Sequence, residues 1–239
     1  MLSAMASLPL ILVLSAPLAQ VATGDAPGRD VGTGPEPSAV PISWELEFKF
    51  LDPQRIEVQL PGAERPEVYW YLVYTVANTS PRSQRFFPLF QIVTEDLRVH
   101  DTDMGIDPLV FDAIRERNRI THPYLVDPTK AIGALLSGDD YARESVAIWR
   151  QIDLTINNFR VYIAGLSGEM RFVPNPGYDP QKPETRKVTG PDGKTTEVVV
   201  NPKNFTLRKT LEIRYTLPGS PEARPAAMPE RKQVRWIMR

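Results

Sequence analysis

Residues 67–80 read Glu-Val-Tyr-Trp-Tyr-Leu-Val-Tyr-Thr-Val-Ala-Asn-Thr-Ser, and this run constrains the fold more than any other part of the chain. Successive side chains of an extended chain point to opposite faces. Val68, Trp70, Leu72, Tyr74 and Val76 therefore share one side, and Tyr69, Tyr71, Val73, Thr75 and Ala77 the other. Apolar bulk on both faces marks a strand covered from two sides rather than a half-solvated one. The chain must supply neighbours to flank it and two further layers to cover it.

Much of the remaining sequence alternates in the same way. Ile42, Trp44, Leu46, Phe48 and Phe50 alternate with polar residues, and Ile56, Val58 and Leu60 follow a turn at 51–54. Further strands are expected at 86–94, where Pro88 marks an edge or bulge because proline cannot donate to a ladder, and at 97–100. Others are expected at 144–150, at Phe159, Val161 and Ile163, at 206–217, and around Val234, Trp236 and Met238. Asp107 followed by Pro108 predicts a capped helix start, with Val110, Phe111, Ala113 and Ile114 facing inward and arginines near its end. This helix is expected to cross between sheets. Residues 130–136 fit strand or helix. The sum is an all-β chain: an antiparallel β-sandwich of about eight or nine strands with one short crossover helix, a closed barrel being the alternative.

The 24 prolines, many of them punctuating alternating runs, suit a β protein with many turns. Residues 1–22 carry an apolar run at 8–14 followed by small residues, the pattern of an export signal and too short for the ~20 residues a spanning helix needs. Residues 23–41, rich in glycine and proline, predict a flexible tether, and 42–239 a single domain from which a loop and hairpin at 174–204 project. No membrane span is expected in the mature chain. There is no cysteine, which excludes disulfides and thiol mechanisms. A net charge of −1 and scattered basic residues give nucleic acid no field to follow.

Two stretches carry a resemblance. Residues 71–80 resemble the strand ending in Val-x-Asn-Thr/Ser of bacterial immunoglobulin-like β-sandwiches. Ser145 through Glu169 is similar to segments of exported bacterial proteins of that type. The resemblance implies an immunoglobulin-like fold and export to the periplasm, cell envelope or medium. It brings no catalytic residues with it.

Tests for chemistry leave few candidates. Asp101, Asp103, Asp107 and Asp112 stand at the first, third, seventh and twelfth places of a calcium-loop count, although Gly105 comes one place early and Pro108 interrupts the loop. Calcium is the one cofactor this pattern allows. Gly190 to Thr195 has the wrong glycine spacing for a phosphate loop and is a turn. Two histidines are too few for a multi-histidine metal site, and the glycines around Ser167 do not form a nucleophile elbow. Tyr69, Tyr71 and Trp149 are the candidate binding surface, should they face solvent. With no complete catalytic constellation, the expected function is a non-catalytic structural or protein-binding module of the cell envelope, acting on an envelope protein partner. The alternative is a carbohydrate-binding or glycan-processing envelope protein. The binding reading predicts a groove, sheet edge or apolar patch.

Overall fold

The computed structural model describes residues 32–33, 43–102, 105–150, 152, 155–181, 184–189 and 193–239. The first half contains β1 (Gly32–Thr33), β2 (Glu47–Phe50), β3 (Gln54–Val58), β4 (Glu67–Ala77), β5 (Gln84–Phe86), β6 (Leu89–Thr94), β7 (Val99–Asp101) and α1 (Pro108–Asn118). There follow α2 (Pro128–Ala131), β8 (Gly133–Leu135), β9 (Arg143–Arg150), β10 (Asn158–Ala164), β11 (Met170–Pro174), β12 (Thr185–Thr189), β13 (Thr195–Val199), β14 (Asn204–Thr216) and β15 (Glu230–Met238).

The organising run is β4, and it is the inner strand its two apolar faces demand. One edge pairs with β2 and then with β3, the other with β9, all antiparallel. The second sheet is built on β14, which pairs with β15 on one side and with β10 and β11 on the other; β6 and β7 extend it beyond β10. Among the described residues neither sheet closes into a barrel, and no helix is long and apolar enough to cross a membrane.

The two sheets lie face to face. Trp70, Leu72, Tyr74 and Val76 of β4 meet Phe90, Ile92, Phe159, Val161, Leu211 and Ile213 of the second sheet in one buried cluster. The opposite face of β4 carries Tyr69, Tyr71 and Val73, which pack with Val146 and Ile148 of β9 against Val110, Phe111 and Ile114 of α1. The layers therefore run helix, first sheet, second sheet. Asp107 caps α1 as its sequence predicts, accepting from the Leu109 N–H at 2.9 Å, and α1 lies on the crossover from β7 in one sheet to β9 in the other.

Several boundaries differ from expectation, each for a local reason. The single strand expected over 86–94 is two, β5 in a small sheet with β8 and β6 in the large one, parted at Phe87-Pro88 where the ladder lacks an N–H. Residues 130–136 divide into the end of α2 and the strand β8. Within the expected tether, Gly32–Thr33 pairs with β2. Residues 1–22 lie outside the described residues. The β12–β13 hairpin is carried between Pro174 and Asn204, which pair where β11 meets β14.

The Asn of the Val-x-Asn-Thr/Ser run has a structural role. Asn78 is fully buried; its amide donates to Arg82 O and Leu135 O, and its Oδ1 accepts from Ser80 N–H and Oγ. One side chain thus ties the end of β4 to the following loop and to β8. Asp52, in the turn between β2 and β3, ties the sheets together. It accepts from Arg231 Nε and Nη2 of β15 at 2.8 and 3.0 Å and from Tyr215 Oη of β14 at 2.9 Å.

A candidate binding groove at an open sheet edge

The strand β9 pairs with β4 along one edge; along the other, among the described residues, backbone pairing is confined to its N-terminal half. Val126 N–H donates to Glu144 O from the side away from β4. Backbone groups of an antiparallel strand alternate in direction. The N–H and C=O of Val146 and Ile148 therefore point the same way as Glu144 O, away from β4. Toward the N-terminal half of β9 the edge is covered: Leu125 bridges to Glu144, Ser145 Oγ donates to Val126 O, and Arg143 reaches Ala131 O. Beyond it, along Val146 and Ile148, lies a groove of about 330 Å³.

The lining shows that the groove runs off the strand edge and not over one face. Val146 and Ile148, whose side chains face the helix layer, line it together with Ala147, whose side chain faces the second sheet. Tyr74 and Phe90 form the wall between the sheets, and Ile106, Phe111 and Ile132 the opposite one. Burial holds the Tyr74 hydroxyl up at about 12, against smaller opposing effects of Ser145 and Arg143, so this wall is neutral at physiological pH.

The rim has its own chemistry. Two Asp-Pro helix starts stand there, Asp107-Pro108 and Asp127-Pro128. Asp127 accepts from Thr129 N–H at 2.8 Å, as Asp107 does from Leu109, so each carboxylate occupies the electropositive end of a helical turn. The mouth is acidic and the interior apolar. Ile132, 40% exposed, sits at its opening.

The residues singled out from the sequence are elsewhere. Tyr69, Tyr71 and Trp149, a candidate binding surface only if solvent-facing, are each 0% exposed and belong to the core. The cause is the third layer: α1 covers the Tyr69/Tyr71 face, and the second sheet covers Trp149. Tyr71 Oη donates to Gln54 Oε1 at 2.9 Å, and Tyr69 Oη to Glu67 at 2.6 Å. Of the calcium-loop residues, Asp103 lies outside the described residues. The other three have separate duties: Asp101 accepts from Gln91, Asp107 caps α1, and Asp112 pairs with Arg115. Among the described residues no group of three or more metal-ligating side chains gathers. Ser167 Oγ accepts from Glu169 N–H, His100 is on β7, and His122 lies 3.6 Å from Glu144. Glu45 and Glu169, two carboxylates brought close by the fold, both bind Lys209 Nζ. Burial alone would lower the Lys209 pKa, but these carboxylates outweigh it and hold the ammonium protonated.

A second polar constellation, not anticipated from the sequence, lies on the solvent-facing side of the second sheet. Glu212 is 1% exposed, and Arg160, Arg214 and Arg235 converge on it from β10, β14 and β15, with Nε atoms at 3.6, 3.1 and 2.5 Å. Tyr162 Oη approaches the same carboxylate at 3.4 Å, and the Arg239 guanidinium lies 4.1 Å from the Tyr162 ring centroid. Burial pushes the Glu212 carboxyl up, but Arg235 and Arg214 outweigh it and hold the carboxyl below its ordinary value. The three arginines that meet Glu212 lie far apart along the chain, and only the strand order, with β14 between β10 and β15, brings them together. No protein-family model, curated protein or solved structure matched the chain when each was compared with it.

Proposed function

We propose that this chain is a non-catalytic, exported, immunoglobulin-like β-sandwich that serves as a protein-binding module of the cell envelope. It takes an extended segment of its partner along β9. The observation that carries this reading is the strand edge of Val146 and Ile148 opening into an apolar groove. Strand addition at such an edge supplies main-chain hydrogen bonds for affinity, while pockets for alternate side chains supply specificity. Buried backbone groups without partners are costly, so an incoming strand that pairs with them relieves that cost. The acidic rim of Asp107 and Asp127 selects a segment whose apolar residues are flanked by Lys or Arg. The carbohydrate-binding alternative called for exposed aromatics such as Tyr69, Tyr71 and Trp149, and these are interior residues.

The test is selection of peptides from a random displayed library, followed by amide hydrogen exchange of the complex. Bound peptides should alternate apolar residues, slow exchange at Val146 and Ile148, and lose affinity when Ile132→Lys places a charged stem at the mouth. Peptides that protect neither amide, or that bind Ile132→Lys as well as the parent chain, refute the reading.

A further inference from the structure

The outer face of the second sheet carries more positive charge than its one buried carboxylate needs. Arg160, Arg214 and Arg235 surround one buried carboxylate, an excess of two positive charges over Glu212, and the Arg239 guanidinium lies beside them over the Tyr162 ring. Like charges held this close repel one another and weaken the folded state unless something neutralises them. The contacts to Glu212 are made by Nε in all three converging arginines. Each guanidinium has five donors in a rigid fork, so Nε contacts from Arg214 and Arg235 leave their terminal Nη groups for another acceptor. The carboxylate beneath acts as a peg that sets the orientation of these forks. Among the described residues no buried apolar cluster lies over this face, in contrast to the first sheet under α1.

Beside the cluster, Arg160 and Arg214 continue into a depression of about 370 Å³ that also includes Thr216, Leu97, Lys232 and Glu95. Its carboxylate is engaged: Glu95 accepts from the Asn157 N–H at 2.9 Å and from Asn158. Lys232 pairs with Glu230 at 2.6 Å.

We propose that the guanidinium cluster on Glu212 is an oxyanion site, for a phosphate or sulfate group whose organic remainder lies in the adjoining depression. Fork donors suit tetrahedral oxyanions because two parallel N–H bonds meet two oxygens at once. A free phosphorylated or sulfated small molecule and a phosphate-bearing lipid headgroup present the same group to the cluster.

The experiment is calorimetric titration of the full chain with inorganic phosphate and with sulfate, at ionic strength matched by chloride. A parallel arm measures co-sedimentation with vesicles containing phosphatidylglycerol, against vesicles of phosphatidylcholine alone. Saturable binding is expected, weakened about tenfold or more in Arg214→Gln/Arg235→Gln, since charge-assisted bonds are lost. Arg214→Lys/Arg235→Lys, which keeps the charge and removes the fork, should also weaken binding, and Arg115→Gln on α1 should not. Binding of the inorganic ions without the vesicles assigns a soluble ligand; loss of vesicle binding in the same double variant assigns a headgroup. Two results overturn the site: no saturable binding in either arm, or binding unchanged in Arg214→Gln/Arg235→Gln, which means an adventitious ion only.

Discussion

Replacing Asp52 by alanine tests whether the two sheets are held in register by a polar tie as well as by their shared core. Two of its three hydrogen bonds come from Arg231 and one from Tyr215. Tyr215 is 1% exposed, so losing its acceptor strands a buried hydroxyl, at a cost of about 1–3 kcal/mol. The Arg231 and Asp52 side chains are 16% and 28% exposed, between a surface pair and a buried one. Solvent screening limits that part to about 1 kcal/mol. Arg231 also keeps its place over the Phe50 ring, 5.1 Å from the centroid, so the variant does not lose every contact of the guanidinium. The expected sum is about 2–4 kcal/mol, equivalent to a fall of roughly 5–15 °C in Tm for a domain of this size. Tyr215→Phe leaves Asp52 paired with Arg231 and should cost only about 1 kcal/mol. The assay is urea denaturation followed by tryptophan fluorescence, run as a double-mutant cycle in which the pair should couple by about 1 kcal/mol. An Asp52→Ala midpoint within about 0.5 kcal/mol of the parent, with an unchanged slope, would show that the tie contributes nothing and that packing alone sets the registry.

Three further predictions follow from the core and the backbone. Leu72→Ala, at a 0% exposed position in the centre of β4, should cost about 2–5 kcal/mol in the same denaturation assay; a loss below about 1 kcal/mol contradicts the inner-strand packing. Burial and the Glu67 hydrogen bond raise Tyr69 to about 12, burial raises Tyr74 to about 12, and burial with the Asp52 charge raises Tyr215 well above the ordinary range. Their folded values exceed the unfolded value of about 10, so this stability is complete below pH ~10 and lost as pH rises through 10–12. Phenolate absorbance from these groups should appear only with cooperative unfolding, and earlier ionisation in the intact fold refutes it. Gly165 has φ +89°, and a Cβ there would lie 2.5 Å from Phe87 O, whereas Gly62, at φ +81°, has open space around it. Gly62→Ala should cost about 1 kcal/mol and Gly165→Ala several-fold more, by thermal melts; equal effects would mean the close approach is absent.

What could be read from residues alone was what depends on neighbours along the chain. The two-faced pattern of β4, the Asp107-Pro108 start of α1 and the alternation in β14 are all properties of consecutive residues, and each element formed where its period placed it. The break at Pro88 was marked by its missing N–H, but the consequence, a strand passing from one sheet to another, depends on which ladder each half finds. The site was a different matter. The two apolar faces of 67–80 already called for cover over Tyr69 and Tyr71, but that α1 supplies it is not a property of neighbouring residues. The groove joins residues of β6, α1, α2 and β9, and the Glu212 cluster joins β10, β14 and β15. Strand order decides both, and strand order is not a periodic property. The twin Asp-Pro steps at 107 and 127 were the one local trace of the groove's rim.

The ties between the sheets also have a consequence for how the chain is made. Asp52 and Arg231 are separated by 179 residues, and Glu45 and Lys209 by 164. On a ribosome, β2, β3 and β4 emerge early with Phe48, Trp70 and Leu72 ready for burial, while β14 and β15, which supply much of the opposing wall, arrive last. Loop closure over such distances is slow, and topologies dominated by it fold in milliseconds to seconds. Through that interval the partly made chain presents an aromatic sheet face to its surroundings, the kind of surface that makes folding intermediates prone to aggregate.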